Sequence, residues 1–187
     1  QQPATHQELI ARDLGSEPIR LHIGGVQIKE GWKILNVEAG EGVDFVGDVR
    51  DLSAFGDGCC SDIYASHVLE HVGQAEVLPV FNELHRMLRV GGKLYVSVPD
   101  LEMLSWLFLS PALDSAAKFN VMRMMFGGQT TPHDFHQIGY CFDFLVDYLR
   151  DVGFAGVEHV ESFGLFNDTS EFVFAGQRIS LNLIVTK

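Results

Sequence analysis

A chain of 187 residues that is 47% hydrophobic, with 14 Phe, holds enough apolar material for one sizeable core and is neither disordered nor a solvating tail. Its formal net charge of −12 argues against a nucleic-acid partner, because phosphate binding needs a basic surface, and anionic membrane surfaces are disfavoured likewise. No run approaches ~18 uninterrupted apolar residues, so no membrane span is expected. The start, QQPATHQELI, lacks the basic flank and apolar core of a signal peptide. Cys59, Cys60 and Cys141 show no repeated spacing, which fits reduced cytoplasmic thiols better than a disulfide framework or a four-cysteine zinc site.

Residues 1–18 form a polar N-terminal extension, with a short helix expected over 6–13. Strands are expected at 19–23 (IRLHI, ending at Gly24-Gly25), 33–38 (KILNVE) and 43–47 (VDFVG). The links between them are too short for crossover helices, so one sheet face should lack its usual cover. Ile63 to Ala65 ends a fourth strand. Residues 74–88 then place Val77, Phe81, Leu84 and Leu88 on one face of an amphipathic helix, which Gly91-Gly92 should stop. The fifth strand, 93–98 (KLYVSV), closes at Pro99-Asp100. This is a βαβ unit with a right-handed crossover, and its carboxyl rim carries Ser66, His67, Glu70, His71, Pro99 and Asp100.

Pro111 divides the apolar stretch 101–126 into two helical pieces, the second rich in Met. Such a stripe is more often core or dimer contact than ligand cage, and it is a candidate cover for the bare face. The loop GGQTTPHDFHQIGYC has the character of a lid. A helix over 142–152 and strands at 157–163 and 179–186 complete the chain.

YASHVLEHV, then a helix, then LRVGGKLYVSVPD resembles the class I S-adenosylmethionine-dependent methyltransferases, closest to a branch of small members with an SHVLEH segment and an L-x-P-G-G turn. Val90 stands where that branch has proline. The resemblance implies an α/β fold: a Rossmann-like sheet, mostly parallel with an antiparallel last strand, its first two helices reduced or absent. Residues 19–187 would form this domain, with 101–142 as helical insert and lid.

By the same resemblance S-adenosylmethionine is the cofactor, approached by the backbone at Gly24 and Gly25. Glu38 would accept from the ribose hydroxyls and Asp48 from the adenine amino group, with the Val49 N–H facing the ring. Ser66 and His67 would lie near the methionine end. The expected activity is methyl transfer to a small-molecule or sugar-type acceptor, with a general base among His67, His133 and His136 and Tyr140 as a hydrogen-bond partner. The methyltransferase reading assigns no metal, and it suggests a cytoplasmic homodimer, because apolar excess on a thinly covered sheet favours self-association.

Two rivals stand beside it. One is a methyltransferase-like module that has lost catalysis, since one glycine of the family's usual loop is missing. The other is a zinc hydrolase using H-x-x-E-H: His67 and His71 as ligands, Glu70 as base, His133 and His136 completing the cluster. The absence of G-x-G-x-x-G argues against a nicotinamide dehydrogenase.

Overall fold

The computed structural model describes residues 17–187, so the helix expected over 6–13 lies outside the described residues. The strands are β1 (Ile19–Ile23), β2 (Trp32–Asn36), β3 (Phe45–Val46), β4 (Cys60–Ser66), β5 (Leu88–Pro99), β6 (Ala155–His159), β7 (Val173–Phe174), β8 (Gln177–Arg178) and β9 (Ser180–Thr186). Seven of them make one sheet in the order β3-β2-β1-β4-β5-β9-β6, while β7 and β8 pair apart as a small ribbon. The first five strands are parallel, and β9 inserts antiparallel between β5 and β6. No helix separates β1 from β2 or β2 from β3. This is the mostly parallel Rossmann-like sheet expected, with its first two helices absent.

The helices are α1 (Val77–Met87), α2 (Leu101–Leu109), α3 (Ser115–Phe126) and α4 (Phe142–Asp151). Side chains alternate along a strand, so Leu21, Ile63, Leu94, Val96 and Leu183 all point to one face. There they pack with Phe81 and Leu84 of α1 and Leu145 and Leu149 of α4 in the main core. The helix α1 ends earlier than its glycine pair suggests. Leu88 is already extended (φ −72°, ψ 137°) because it pairs with Cys60 of β4. The glycines instead shape a bulge inside β5. Gly91 has φ +75°, and a Cβ on Gly92 would sit 2.9 Å from the Ser61 carbonyl.

The opposite face, left bare by the missing helices, is covered by residues 163–170. Phe166 lies over Tyr64 (4.7 Å between ring centroids), Trp32 (5.2 Å) and His22 (4.1 Å), and Phe163 stands edge-on to Tyr64 and Tyr95. Tyr64 donates from Oη to Asp168 at 2.9 Å. Lys29 Nζ donates to the Leu165 carbonyl at 2.6 Å and sits over the Phe166 ring. Thus the short β1–β2 link clips onto the segment that covers it. The helical pair α2–α3 has another place. Leu104, Leu107 and Val121 gather around Ile179 as a satellite core, with Met103, Met124 and Met125 packed against it. The Met stripe is core, but it does not cover the bare face. Pro111 falls in the break between α2 and α3, and each of these helices has an acidic N-cap: Asp100 accepts from the Glu102 and Met103 N–H groups, Asp114 from Ala117.

Candidate functional site

Loops at the carboxyl ends of β1, β2, β3 and β4 surround a cavity of about 220 Å³. Such crevices are where open α/β sheets bind ligands, because the strands splay and the connecting loops leave the sheet there. Of the residues singled out in the sequence, Gly24, Asp48, Val49, His67 and His133 line it; Gly25, Glu38, Ser66 and His136 do not.

Each placement has a local cause. Gly24 has φ +73°, and a Cβ there would come within 2.5 Å of Val68 Cγ2, so glycine lets the backbone form the cavity wall. Gly25 serves packing: its missing Cβ leaves room for the His22 ring, which would otherwise be 2.5 Å away. The strand β2 ends at Asn36, two residues before Glu38, and Glu38 projects into solvent beyond it. Asn36 holds the strand end. Its Nδ2 donates to the Gly25 carbonyl (3.0 Å), and its Oδ1 accepts from the Glu38 N–H (3.1 Å). Ser66 shares the face of Tyr64, away from the cavity.

Asp48 is gripped by Arg50, a cavity residue that the sequence reading did not single out. Nε and the backbone N–H of Arg50 donate to Oδ1 and Nη2 to Oδ2, at 2.9, 2.9 and 2.5 Å. These hydrogen bonds hold the Asp48 carboxyl below the usual carboxylate range, with burial opposing. Spacing is the missed clue, since a cation two residues after Asp can close such a turn. Asp48 Oδ2 keeps acceptor capacity toward the cavity because each carboxylate oxygen has two lone pairs.

His67 takes the left-handed conformation (φ +53°), unusual for a residue with a side chain. Its N–H donates to the Ser97 carbonyl, extending the sheet by one bond. Ser180 Oγ gives its single proton to the Thr169 carbonyl, so the 2.8 Å contact between His67 Nε2 and Ser180 Oγ makes Nε2 the donor. His67 Nδ1 faces Glu70 Oε1 at 3.2 Å. After His67 the chain forms only a 3₁₀ turn, Leu69–His71. His67 and His71 therefore do not share a helical face as the H-x-x-E-H reading requires, and His67 Nε2 is committed to Ser180.

The loop before α4 closes over this rim. Gln137 N–H donates to the Glu70 carbonyl (2.7 Å), its Nε2 donates to the His71 carbonyl, and His71 Nδ1 contacts the Phe135 carbonyl at 3.0 Å. Tyr140 hydrogen-bonds the Leu69 carbonyl instead of a histidine. Asp134 accepts from Gly128 and Thr130 and so shapes the loop. His133 is exposed on the cavity wall, whereas His136 is tucked behind it, where burial lowers its pKa against the opposing pull of Glu70.

Residues 11–96 match the family described as a methyltransferase domain. No curated protein matches the sequence. Among solved structures, the chain resembles an S-adenosylmethionine-dependent methyltransferase from Archaeoglobus fulgidus (TM-score 0.57, 13% identity), covering 98% of this chain and 95% of that one. It also resembles an S-adenosylmethionine-dependent methyltransferase from Thermotoga maritima (TM-score 0.55, 14% identity), covering 98% and 89%.

Proposed function

We propose that this chain, whose residues 11–96 match a methyltransferase domain and whose fold resembles that of S-adenosylmethionine-dependent methyltransferases, transfers a methyl group from S-adenosylmethionine to a small-molecule or sugar-type acceptor. The observation that carries the reading is the cavity itself, where a side-chain-free backbone at Gly24 and the Asp48 carboxylate meet at the strand ends. That pairing suits a ligand with an adenine amino donor and an extended body.

Asp48 and the Val49 N–H would hold the adenine end, and Gly24 would let the ligand lie against the backbone. Ser66 and Gly25 would act from behind, through the β4 end and the His22 packing. Glu38, exposed just beyond the end of β2, would accept from the ribose hydroxyls of a ligand that extends past the cavity rim. The bound cofactor supplies a methyl carbon on a positively charged sulfur, already activated for displacement. The protein's task is then to align the acceptor and take its proton. His67 has both ring nitrogens engaged and His136 is off the cavity, which leaves His133 as the best placed of the three to accept that proton.

Calorimetric titration with S-adenosylmethionine and S-adenosylhomocysteine tests the reading. Micromolar binding is expected, and Asp48→Ala should weaken it at least tenfold, the loss of about 1.4 kcal/mol or more that one charge-assisted hydrogen bond supplies. Undiminished binding in that variant overturns the site assignment. No binding at all favours the non-catalytic module.

The homodimer belongs to the same proposal. Trp106, Leu109 and Phe119 on the α2–α3 pair are 59%, 78% and 59% exposed, an apolar surface of the kind that self-associates. Sedimentation at micromolar concentration should give a dimer, and Leu109→Glu a monomer; a wild-type monomer would remove the idea. A cytoplasmic setting is supported by three free cysteines. Among the described residues no helix is long and apolar enough to cross a membrane.

A further inference from the structure

Behind the cavity wall, Glu70 presents a problem that the methyltransferase reading leaves unsolved. Its side chain is 1% exposed, and His67 Nδ1 stands 3.2 Å from Oε1, while Oε2 has no hydrogen-bond partner among the described residues. A buried carboxylate is costly unless its oxygens are completed by a cation or a proton, and one histidine contact leaves Oε2 uncompensated. Besides His67, two more imidazoles stand beside it. Ligand atoms of Glu70, His71 and His136 all lie within 4.8 Å of one another, and the two rings are 4.9 Å apart, nearly perpendicular. A central point is therefore no more than about 2.8 Å from each atom, against the 2.0–2.2 Å of zinc–nitrogen and zinc–oxygen bonds. Small rotations of the side chains close that difference.

The tautomers suit a metal as well. A carbonyl can only accept, so the contact with Phe135 makes His71 Nδ1 the N–H and leaves the Nε2 lone pair for a ligand. A ligating histidine usually has this arrangement, its second nitrogen donating to a backbone carbonyl.

We infer that Glu70, His71 and His136 form a binding site for a divalent transition ion of the zinc type. Two nitrogens and one oxygen match the borderline softness of that ion, and three protein ligands leave a fourth position open. His71 also lines the cavity, so the open position adjoins it and could take water or an oxygen atom of a bound small molecule. The ligand set differs from the H-x-x-E-H scheme. Glu70 is a ligand, His67 is outside the set, and His136 comes from a loop 65 residues beyond His71.

The test uses the whole chain, stripped with a chelator and titrated with Zn²⁺ by calorimetry and with Co²⁺ by visible absorption. One ion per chain is expected, with cobalt d–d bands and no thiolate charge-transfer band. Glu70→Gln and His136→Ala should each weaken Zn²⁺ binding about 100-fold or more, while His159→Ala, on a strand far from the cluster in sequence, should leave it unchanged. Should those two variants fail to fold, His71→Ala, at the half-buried end of the turn, must show the same loss. A thiolate band would place the ion on Cys59 and Cys60 and overturn the inference, as would the lack of saturable binding at micromolar Zn²⁺. Calorimetry with S-adenosylmethionine on the metal-free protein is independent, so failure of one proposal is distinguishable from failure of the other.

Discussion

Replacing Phe166 with Ala is expected to lower the folding free energy by about 3–5 kcal/mol, the range for emptying a buried aromatic site. Phe166 is only 6% exposed and fills the gap over His22, Trp32 and Tyr64. No helix stands behind it to move into the space, because the β1–β2 link is a loop. Denaturant melts at pH 7.5 would measure the loss. A change below about 1 kcal/mol would mean that residues 163–170 do not act as the cover. The effect should extend to the cavity, since Gly25 packs on the same His22 ring and Gly24 adjoins it.

The second large effect is acid sensitivity through His22. Burial lowers its pKa from 6.5 to about 4, with the Asp168 carboxylate offsetting only part of that. The unfolded chain binds this proton near pH 6.5, and the folded chain refuses it until about 4. Stability from this group is therefore full above pH 6.5 and is lost as pH falls from 6.5 toward 4, about 3 kcal/mol in all. His136 is shifted in the same direction and adds to the trend. In His22→Gln the slope of stability against pH across that window should fall by about one proton. A wild-type slope retained in the variant would show that His22 is not the group responsible. Phe166→Ala should flatten the same window, because water reaching the ring restores its ordinary pKa. The two experiments thus read one buried layer from two sides.

This layer bears on function because it replaces missing architecture. A parallel sheet needs both faces covered, and here the second face is closed by a loop rather than by helices. The loop fastens to the rest through Tyr64–Asp168 and Lys29–Leu165. It also supplies the Thr169 carbonyl that accepts from Ser180, and Ser180 in turn holds His67. The orientation of a cavity residue is thus set from the far face of the sheet.

The sequence by itself determined most of the sheet, although the strand expected at 157–163 runs Ala155–His159. Period-two and continuous apolar runs mark the buried strands, the apolar face of α1 follows from its spacing, Pro111 breaks the 101–126 stretch, and the short links after β1 and β2 rule out helices there. These features depend on neighbours within a few residues, which local patterning records. It also brought Gly24, Asp48, Val49 and His67 to the strand ends, because a residue just past a parallel strand must be at that rim. What only the tertiary structure decided was set by partners distant along the chain. The end of α1 at Met87 follows from Leu88 pairing with Cys60, and the role of Phe166 follows from rings more than a hundred residues away. Glu38 stands off the cavity because β2 stops pairing at Asn36, and Glu70 meets His136 because the loop before α4 folds back over the 3₁₀ turn. No spacing rule encodes those meetings, since they are fixed by which surfaces are left to be buried once the sheet has formed.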